Sequence, residues 1–183
     1  PLAANRGIIY DVNGKELATN ITTTSLVLIP NQIEEKEKVA NDLSKILNVD
    51  KEKIVKHINK NNSIEIIKPE GRRITLDQAK EITNANLDGI YLTSDSSRYY
   101  PYETTLAQVL GFCGIDNNGL SGIEYMYNDY LTSQKGALSI YTDAKGNLMH
   151  NTTNTYKQPT PGLNLYLTID INIQQSLERE LDN

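Results

Sequence analysis

The chain has no tryptophan, a single cysteine and only two histidines among its 183 residues. One cysteine, Cys113, excludes an internal disulfide framework. Neither His nor Lys neighbours Cys113 in the sequence, so nothing there lowers the pKa of its thiol, and we expect a small buried apolar side chain rather than a nucleophile. His57 and His150 lack the spacing of metal ligands. The sequence therefore predicts neither a metal site nor a cofactor.

Long apolar runs and a surplus of positive charge are also missing. The sequence has no stretch of about 18 apolar residues that could span a membrane, and no secretory signal peptide. It carries 18 Lys and Arg against 23 Asp and Glu, which argues against nucleic-acid binding because phosphate contacts need clustered basic side chains. The chain starts at Pro1 and stops at Asn183 inside a predicted helix, which we interpret as a piece of a longer protein.

Reactive-serine motifs are absent as well. An acyl-serine transpeptidase needs an S-x-x-K pair for nucleophile and base, an S-x-N and a K-T-G strand. No Ser in this chain has a Lys three residues later, and the nearest imitations begin at Thr132 and Thr142. No pair of carboxylates stands out as a glycosidase pair. We therefore assign no catalytic residue.

The stretch from Arg6 to Ala18 carries the strongest structural signal in the chain. Its apolar residues stop at Asn13-Gly14 and then resume. This pattern predicts a β-hairpin with a type I′ turn, because that turn needs a positive φ at both central residues. The β-branched run 22–29 predicts a further strand that ends at Pro30.

Residues 31–94 form a block of predicted helices and strands that carries no recognisable reactive arrangement. We interpret this block as an insertion that serves recognition of a partner, because partner surfaces often lie on insertions. Its signals are, in chain order, a capping box of Asn31 with Glu34, an N-cap at Asp50, a strand run over 63–67, a capping box of Thr75 with Gln78 and a strand run over 89–93.

The second half of the chain predicts one helix around Glu124 and several strands. Ser121 as N-cap and Glu124 at the third helical position complete a capping box, which predicts a helix that runs to about Leu131. The remaining predicted elements are a strand over 137–142, a turn over 143–147 followed by another strand, a strand over 163–169 and a helix capped by Asp170.

Four blocks of this sequence, in order, resemble signatures of class B penicillin-binding proteins. Arg6–Ala18 is similar to their R-G-x-I-x-D-R-x-G-x-x-L-A signature, with Val12 in place of the second Arg. Arg98–Pro101 resembles their R-x-Y-P element. Gly119–Glu124 resembles their G-x-x-G-x-E helix, although a Gly often found at the end of that helix is missing. Residues 161–174 are similar to the segment that leads into their transpeptidase domain.

The resemblance implies an α+β fold and a domain plan. The fold would be an elongated pedestal of hairpins and short helices with an inserted α/β head subdomain. In this plan residues 1–30 are the first part of the pedestal, 31–94 the head, 95–158 the second part of the pedestal and 159–183 a linker to a transpeptidase domain outside the chain.

The resemblance also implies a function without chemistry in this chain. It would be the non-catalytic pedestal that positions a peptidoglycan D,D-transpeptidase for cell-wall cross-linking, outside the bacterial cytoplasmic membrane. The implied partners are the protein's own transpeptidase domain, a polytopic glycosyltransferase or other wall-synthesis proteins, and a second copy of the chain. The parent would be anchored by a membrane helix upstream of Pro1, and the sequence looks most like the sporulation-type members.

The same resemblance implies which side chains hold the pedestal together. Glu124 would pair with Arg6 or Arg98 in a structural ionic cluster to which Asp11 also belongs. The capping box described above would explain Glu124 equally well, and the two roles can coexist because a carboxylate has two oxygens. The glycines of the motifs, which would serve backbone geometry, are Gly7, Gly14, Gly111, Gly114 and Gly122.

Two other interpretations compete with the pedestal. One is a stand-alone extracytoplasmic module that binds glycan or protein and has no enzyme attached; an S-x-x-K in the coding sequence beyond Asn183 would decide against it. A catalytic domain in its own right is disfavoured by the missing nucleophile and base. Several tyrosines could form a stacking platform for sugars or bases, but in an acidic chain we expect most of them to be packing residues; they are Tyr99, Tyr100, Tyr102, Tyr125, Tyr127 and Tyr130.

Overall fold

A computed structural model describes residues 4–134, 136–139 and 155–181 of the chain. The chain divides into two compact units, each with its own hydrophobic core. Unit 1 comprises Pro1–Asn20 and Arg98–Asn183, and unit 2 comprises Ile21–Ser97. Helices and strands occur in both units, which confirms the α+β fold class. The assignment of 31–94 as a head and of the flanking stretches as a pedestal stays a prediction.

Unit 1 is built around the first hairpin. Strand β1 (Ile9–Tyr10) pairs antiparallel with the start of β2 (Glu16–Leu28). The strand β7 (Leu165–Tyr166) pairs parallel with the other edge of β1, so the segment predicted to be a linker contributes a strand to this unit. Two further strands, β5 (Ala137–Ser139) and β6 (Thr155–Lys157), pair antiparallel, and the turn predicted over 143–147 lies outside the described residues.

The hairpin itself is confirmed, but the predicted type I′ turn is wrong. Gly14 has a φ of 81°, whereas Asn13 is not among the described residues with a positive φ. Gly14 N donates to Asp11 O (3.1 Å) and Asp11 N donates to Lys15 O (2.8 Å), so the turn starts at Asp11. The Asp11 carboxylate accepts the N–H groups of Asn13 and Lys15, and this local bonding favours the observed turn over one centred on Asn13-Gly14.

The helices of unit 1 are short apart from the last. They are α4 (Ala107–Leu110), α5 (Gly122–Met126), α6 (Asn128–Leu131) and α7 (Ile171–Leu181). The single helix predicted up to Leu131 is therefore two helices that break at Tyr127. The core of this unit joins the hairpin to these helices through seven buried side chains, Ile9, Leu17, Ala18, Leu106, Leu110, Leu131 and Ile171.

Unit 2 packs three helices with the strands that enter and leave it. The helices are α1 (Lys36–Leu47), α2 (Lys51–Ile58) and α3 (Leu76–Ala85). The end of β2 pairs antiparallel with β3 (Glu65–Ile66), and β4 (Ile90–Tyr99) also pairs with β2. The core consists of aliphatic side chains from β2, the three helices and the segments between the elements, among them Leu26, Leu28, Leu43, Ile54, Ile58, Ile67 and Ile82.

Two predictions about element boundaries in unit 2 are wrong. The capping box of Asn31 with Glu34 does not form, because Pro30–Gln32 is a 3₁₀ turn and α1 begins only at Lys36. Burial of Ile33 in the core of the unit holds this segment in place before the helix starts. The strand predicted from residue 22 is the continuation of the second hairpin strand, because no Gly or Pro interrupts β2 between Glu16 and Leu28.

Candidate functional site

A buried cluster of three charged side chains lies at the centre of unit 1. Glu124 Oε2 accepts a hydrogen bond from Arg6 Nε at 2.7 Å, and Glu124 Oε1 accepts one from Arg98 Nε at 2.6 Å. The side chain of Glu124 has no exposed surface, and those of Arg6 and Arg98 are each 2% exposed. The structure thus brings together one residue from each of the first three sequence blocks, and we call these three residues the Glu124 cluster.

The two arginines also donate to backbone carbonyl oxygens, to a side-chain amide oxygen and to a hydroxyl oxygen. Arg6 donates to Glu124 O at 2.8 Å and to Asn117 O at 2.9 Å. It also reaches the side chains of Asn128 and Thr132, both at 3.0 Å. Arg98 donates to Gly7 O at 2.7 Å. The hairpin, the strand β4 and the helices α5 and α6 are therefore joined through one set of side chains.

These hydrogen bonds show which of the two predicted roles Glu124 has, the ion pair or the capping box. Ser121 is the N-cap of α5 but makes no side-chain cap hydrogen bond, and its Oγ accepts the Phe112 N–H at 3.3 Å instead. The predicted capping box is therefore wrong at this helix, because both oxygens of Glu124 face arginines. One carboxylate between two buried guanidinium groups leaves a net positive charge, which the surrounding carbonyl oxygens offset.

Tyr100 and Cys113 border the Glu124 cluster. Tyr100 Oη donates to Glu124 Oε1 at 3.5 Å, and burial followed by the Glu124 charge raises the pKa of the Tyr100 hydroxyl. The same two causes raise the pKa of the Cys113 thiol to about 11. A thiol with this pKa stays protonated at neutral pH. Cys113 is half-buried, whereas the sequence predicts a buried side chain.

Asp11 does not belong to the Glu124 cluster, contrary to the prediction. Its carboxylate accepts the N–H groups of Asn13 and Lys15 at 2.8 Å and of Ile171 at 3.3 Å. Burial alone would raise the pKa of Asp11, but these backbone donors lower it below its ordinary value. Asp11 therefore fixes the hairpin turn and the start of α7 through backbone groups and needs no arginine.

Three of the motif glycines lie where another chain segment passes too closely for a side chain. A Cβ on Gly7 would stand 1.9 Å from Leu163 O, and one on Gly111 would stand 2.0 Å from Ser121 O. Gly122 faces Val109 O in the same way, at 2.5 Å. Gly14 and Gly114 differ, because a Cβ on Gly14 would meet nothing and one on Gly114 only the flexible Leu120 side chain at 3.3 Å.

Sequence reasoning missed several residues that complete this junction. Asn20 donates to Arg6 O at 2.7 Å, and Asn128 accepts from both Arg6 and Gly119 N. A Cβ on Gly119 would lie 1.9 Å from Glu124 O, and one on Gly162 would lie 1.8 Å from Leu131 O. Both glycines stand inside the sequence blocks quoted above, so the signal was present; the two asparagines carry no local signal.

Hydrogen bonds link the start of the chain, helix α6 and the fourth sequence block. Gly7 N donates to Leu131 O at 2.8 Å, and Gly162 N donates to Asn5 O at 3.1 Å. Leu163 N donates to Tyr130 O, also at 2.8 Å. The Asn164 side chain accepts the Ile8 N–H at 2.9 Å. All four blocks thus meet at one place in unit 1.

The arrangement joins separate segments of unit 1 through buried polar contacts. Its carboxylate is bound by both arginines, and among the described residues no nucleophile with an adjacent base is found at it. In the part of the chain that the structure describes, no group of three or more His, Cys, Asp or Glu could hold a metal ion. Within the same residues, none of the helices combines the length and apolarity needed to span a membrane.

Sequence comparisons support the four-block resemblance. The family profile described as "Penicillin-binding Protein dimerisation domain" matches residues 1–167. The chain is 45% identical over its whole length to stage V sporulation protein D of Bacillus subtilis, of which it covers 28%. It is also 29% identical to the peptidoglycan D,D-transpeptidase FtsI of Escherichia coli. That alignment covers the whole of this chain and 31% of FtsI. The chain thus spans about three tenths of these relatives.

Comparisons of structure point the same way. Penicillin-binding protein 2X of Streptococcus thermophilus shares 27% identity over 99% of this chain and 30% of its own, with a TM-score of 0.56. The Helicobacter pylori penicillin-binding protein PBP2, solved in complex with MreC, superposes on the entire chain and on 38% of its own with a TM-score of 0.75. At 22% identity this second match shows the shared fold alone.

Proposed function

Because the chain belongs to the penicillin-binding protein dimerisation domain family, we propose that it serves as the non-catalytic pedestal of a class B penicillin-binding protein. In this proposal the parent protein is a peptidoglycan D,D-transpeptidase that cross-links the cell wall outside the cytoplasmic membrane. The chain holds that enzyme in position and supplies contacts for partner proteins. Its own residues take no part in the acyl transfer.

The observation that carries this proposal is the junction around Glu124. Buried ion pairs and glycine contacts join four distant sequence blocks into one unit, while the junction offers no activated serine or thiol. A junction of buried polar contacts without activated groups suits positioning, because alignment of an enzyme needs a defined geometry rather than chemistry. The names of two relatives support the enzyme class, since FtsI of Escherichia coli and of Buchnera aphidicola are peptidoglycan D,D-transpeptidases.

The proposal extends to partners, anchoring and biological role. The Helicobacter pylori match was solved with MreC, which supports a protein partner for this fold; we propose a polytopic glycosyltransferase or another wall-synthesis protein as the partner here, and a second copy of the chain as a further one. We also propose a membrane helix upstream of Pro1. The 45% identity to stage V sporulation protein D supports a role of the parent in spore formation.

Penicillin labelling tests the proposal. We expect the full-length parent to form a covalent adduct with fluorescent penicillin at a serine of an S-x-x-K motif downstream of Asn183, and the 183-residue chain to form none. A parent whose gene ends without such a motif would overturn the proposal in favour of a stand-alone binding module. A covalent band on the isolated chain would overturn its non-catalytic assignment.

A further inference from the structure

Helix α7 carries apolar side chains that unit 1 does not cover. Of its four aliphatic residues, only Ile171 is buried in the core of the unit. The other three are exposed, Ile173 by 62%, Leu177 by 56% and Leu181 by 84%. They recur every four residues, which places them on successive turns along one side of the helix. We call these three side chains the α7 stripe.

Unit 1 holds α7 by a different side of the helix. Besides Ile171, this side carries Gln174 and Glu178, which are half-buried. Glu178 accepts the Leu106 N–H at 3.3 Å and the side-chain amide of Gln174 at 2.8 Å. At about 3.6 residues per turn, the α7 stripe lies about a quarter of a turn away from this side. The helix is therefore fixed to unit 1 without using the stripe.

The remaining side of α7 is polar. Its residues are exposed and are Asn172, Gln175, Ser176 and Arg179. An amphipathic helix turns its apolar side towards a core, and in α7 most of the apolar side chains point away from the core of unit 1. This arrangement is typical of a helix that packs between two bodies of protein.

The comparisons indicate what the second body is. The family profile ends at residue 167, and α7 begins only at Ile171. The alignment with stage V sporulation protein D nevertheless extends over all 183 residues and so includes α7. The chain covers 28% of that relative, so most of a protein of this kind lies outside the aligned part. Helix α7 is thus outside the matched dimerisation domain, and in the proposed parent the transpeptidase domain follows it.

The small size of the α7 stripe also favours an occupant that is covalently attached. Three aliphatic side chains, even when fully buried, supply only part of the roughly 800 Å² that each partner buries in a stable complex of separate proteins. A domain joined to the end of α7 meets the stripe at a high effective concentration, so a small contact is sufficient.

We propose that the α7 stripe is the docking surface for the transpeptidase domain that follows Asn183 in the parent. Apolar side chains of that domain cover the stripe, while Ile171 and Glu178 keep the same helix fixed to unit 1. Because one helix packs against both bodies, unit 1 sets the orientation of the enzyme. This inference rests on the proposed function, which places a transpeptidase domain downstream. The role of residues 31–94 in recognition stays a separate prediction.

The test compares two serine substitutions in the full-length parent. Leu177→Ser alters the centre of the α7 stripe, and Gln175→Ser, on the exposed polar side of the same helix, is the matched control. The parent is heated in steps, and the fraction that still reacts with fluorescent penicillin gives a midpoint temperature. We expect Leu177→Ser to lower this midpoint by about 4 °C or more and Gln175→Ser by less than about 1 °C, because only Leu177 is covered in the parent.

The 183-residue chain is the reference. Because Leu177 is exposed in it, its Leu177→Ser and Gln175→Ser variants should melt within about 2 °C of each other. Hydrogen exchange adds a measurement on the unaltered proteins, which holds even if Leu177→Ser keeps the parent from folding. Amides of 173–181 should exchange at least about tenfold more slowly in the parent than in the isolated chain, whereas those of α3 should exchange alike in both.

Three results would overturn the docking proposal. Equal midpoints for Leu177→Ser and Gln175→Ser in the parent, or equal exchange of 173–181 in the parent and in the isolated chain, would show that the transpeptidase domain does not cover the stripe. Self-association of the isolated chain that Leu177→Ser abolishes would make a second copy the occupant. Because the unheated parent is expected to react with penicillin in every case, these results would leave the proposed function standing.

Discussion

At the level of single residues, Glu124 matters most, because its carboxylate is shut off from water between two guanidinium groups. Removing one member of a buried ion pair lowers the free energy of unfolding by more than the pair contributes, because the remaining charge is buried without water or a counter-ion. Here one substitution would strand two arginines, Arg6 and Arg98, at once. Neither Ser121 nor Glu124 makes a side-chain capping bond at the start of α5, so no such bond limits the loss of stability.

We expect Glu124→Ala to lower the free energy of unfolding of unit 1 by about 3–5 kcal/mol, and Glu124→Gln by at least about 2 kcal/mol. The Gln variant keeps the side-chain shape but removes the charge that both arginines face. Urea unfolding followed by tyrosine fluorescence measures this, because all tyrosines except Tyr91 lie outside unit 2. Glu103→Gln, at an exposed position, is the control. A Gln variant that unfolds like the unaltered chain would mean that the charge at 124 is dispensable.

Gly7 and Gly114 form a second pair for comparison. Gly7→Ala forces a methyl group against the backbone oxygen of Leu163. The chain there cannot move without breaking the hydrogen bonds of the fourth sequence block. We therefore expect the free energy of unfolding to fall by about 2 kcal/mol or more. Gly114→Ala meets only the Leu120 side chain and should change stability by less than about 0.5 kcal/mol. Thermal melts of the two variants measure the difference. Equal melting temperatures would contradict the close approach at Gly7.

At the level of elements, signals confined to a few neighbouring residues were the ones the sequence could predict. The Thr75–Gln78 capping box is confirmed in both directions, with Gln78 N donating to Thr75 Oγ1 at 3.2 Å and Thr75 N donating to Gln78 Oε1 at 2.9 Å. The same pattern failed at Asn31, where burial of Ile33 outweighed a capping preference of about 1 kcal/mol. The hairpin was predictable, but its turn type depends on Asp11 accepting backbone N–H groups.

The candidate site shows the same limit over longer distances. The sequence blocks pointed to Arg6, Arg98 and Glu124 only through their resemblance to a family, and no local pattern distinguishes pairing with one arginine from pairing with both. The roles of Asn20 and Asn128 could not be predicted from the sequence, because no local pattern around an asparagine indicates which distant residue it will bind. Such contacts depend on segments that are 14 and 122 residues apart in the chain.

The end of α2 and the strand β3 are joined by a second polar cluster, which is sensitive to acid. Burial alone would raise the pKa of Glu65, but hydrogen bonds from Lys60, His57 and Asn62 lower it from 4.5 to about 2. Because the folded-state pKa is the lower one, Glu65 stabilises unit 2 above about pH 4.5, and this contribution disappears as the pH falls towards 2. Lys60 and His57 contact the same oxygen, Glu65 Oε1.

We expect the unaltered chain to lose about 2 kcal/mol more stability between pH 7 and pH 3 than Glu65→Gln does, because the amide does not titrate. Urea unfolding followed by far-ultraviolet circular dichroism, to which α1, α2 and α3 contribute, measures both proteins at the two pH values. Glu52→Gln, on the exposed side of α2, serves as the control and should follow the unaltered chain. Parallel pH profiles for Glu65→Gln and the unaltered chain would contradict the lowered pKa.

At the level of the whole molecule, we expect the acylation activity of the parent and the positioning role of this chain to be separable by mutation. We expect Glu124→Gln in the full-length parent to change the rate of penicillin acylation by less than about twofold, because the substitution touches no reacting group. Under the proposed function a destabilised pedestal no longer holds the enzyme in place, so wall synthesis in cells should fall much further. Complementation of a strain that lacks the parent measures the second effect. A parallel loss of acylation would show that the pedestal contributes to the active site.

The division of the chain into one continuous and one discontinuous unit also sets an order of events during synthesis. Ile21–Ser97 leaves the ribosome as an uninterrupted stretch, so every residue of unit 2 is available before Arg98 has been added. The opening hairpin, by contrast, waits for Glu124 and then for Leu165 before its ion pairs and its parallel strand can form. Until residue 124 has been added, the Glu124 carboxylate that binds Arg6 does not exist. A chaperone that binds Pro1–Asn20 would act before residue 124 has been added. A chain released before that point would contain all of unit 2 but a hairpin without its ion pair to Glu124.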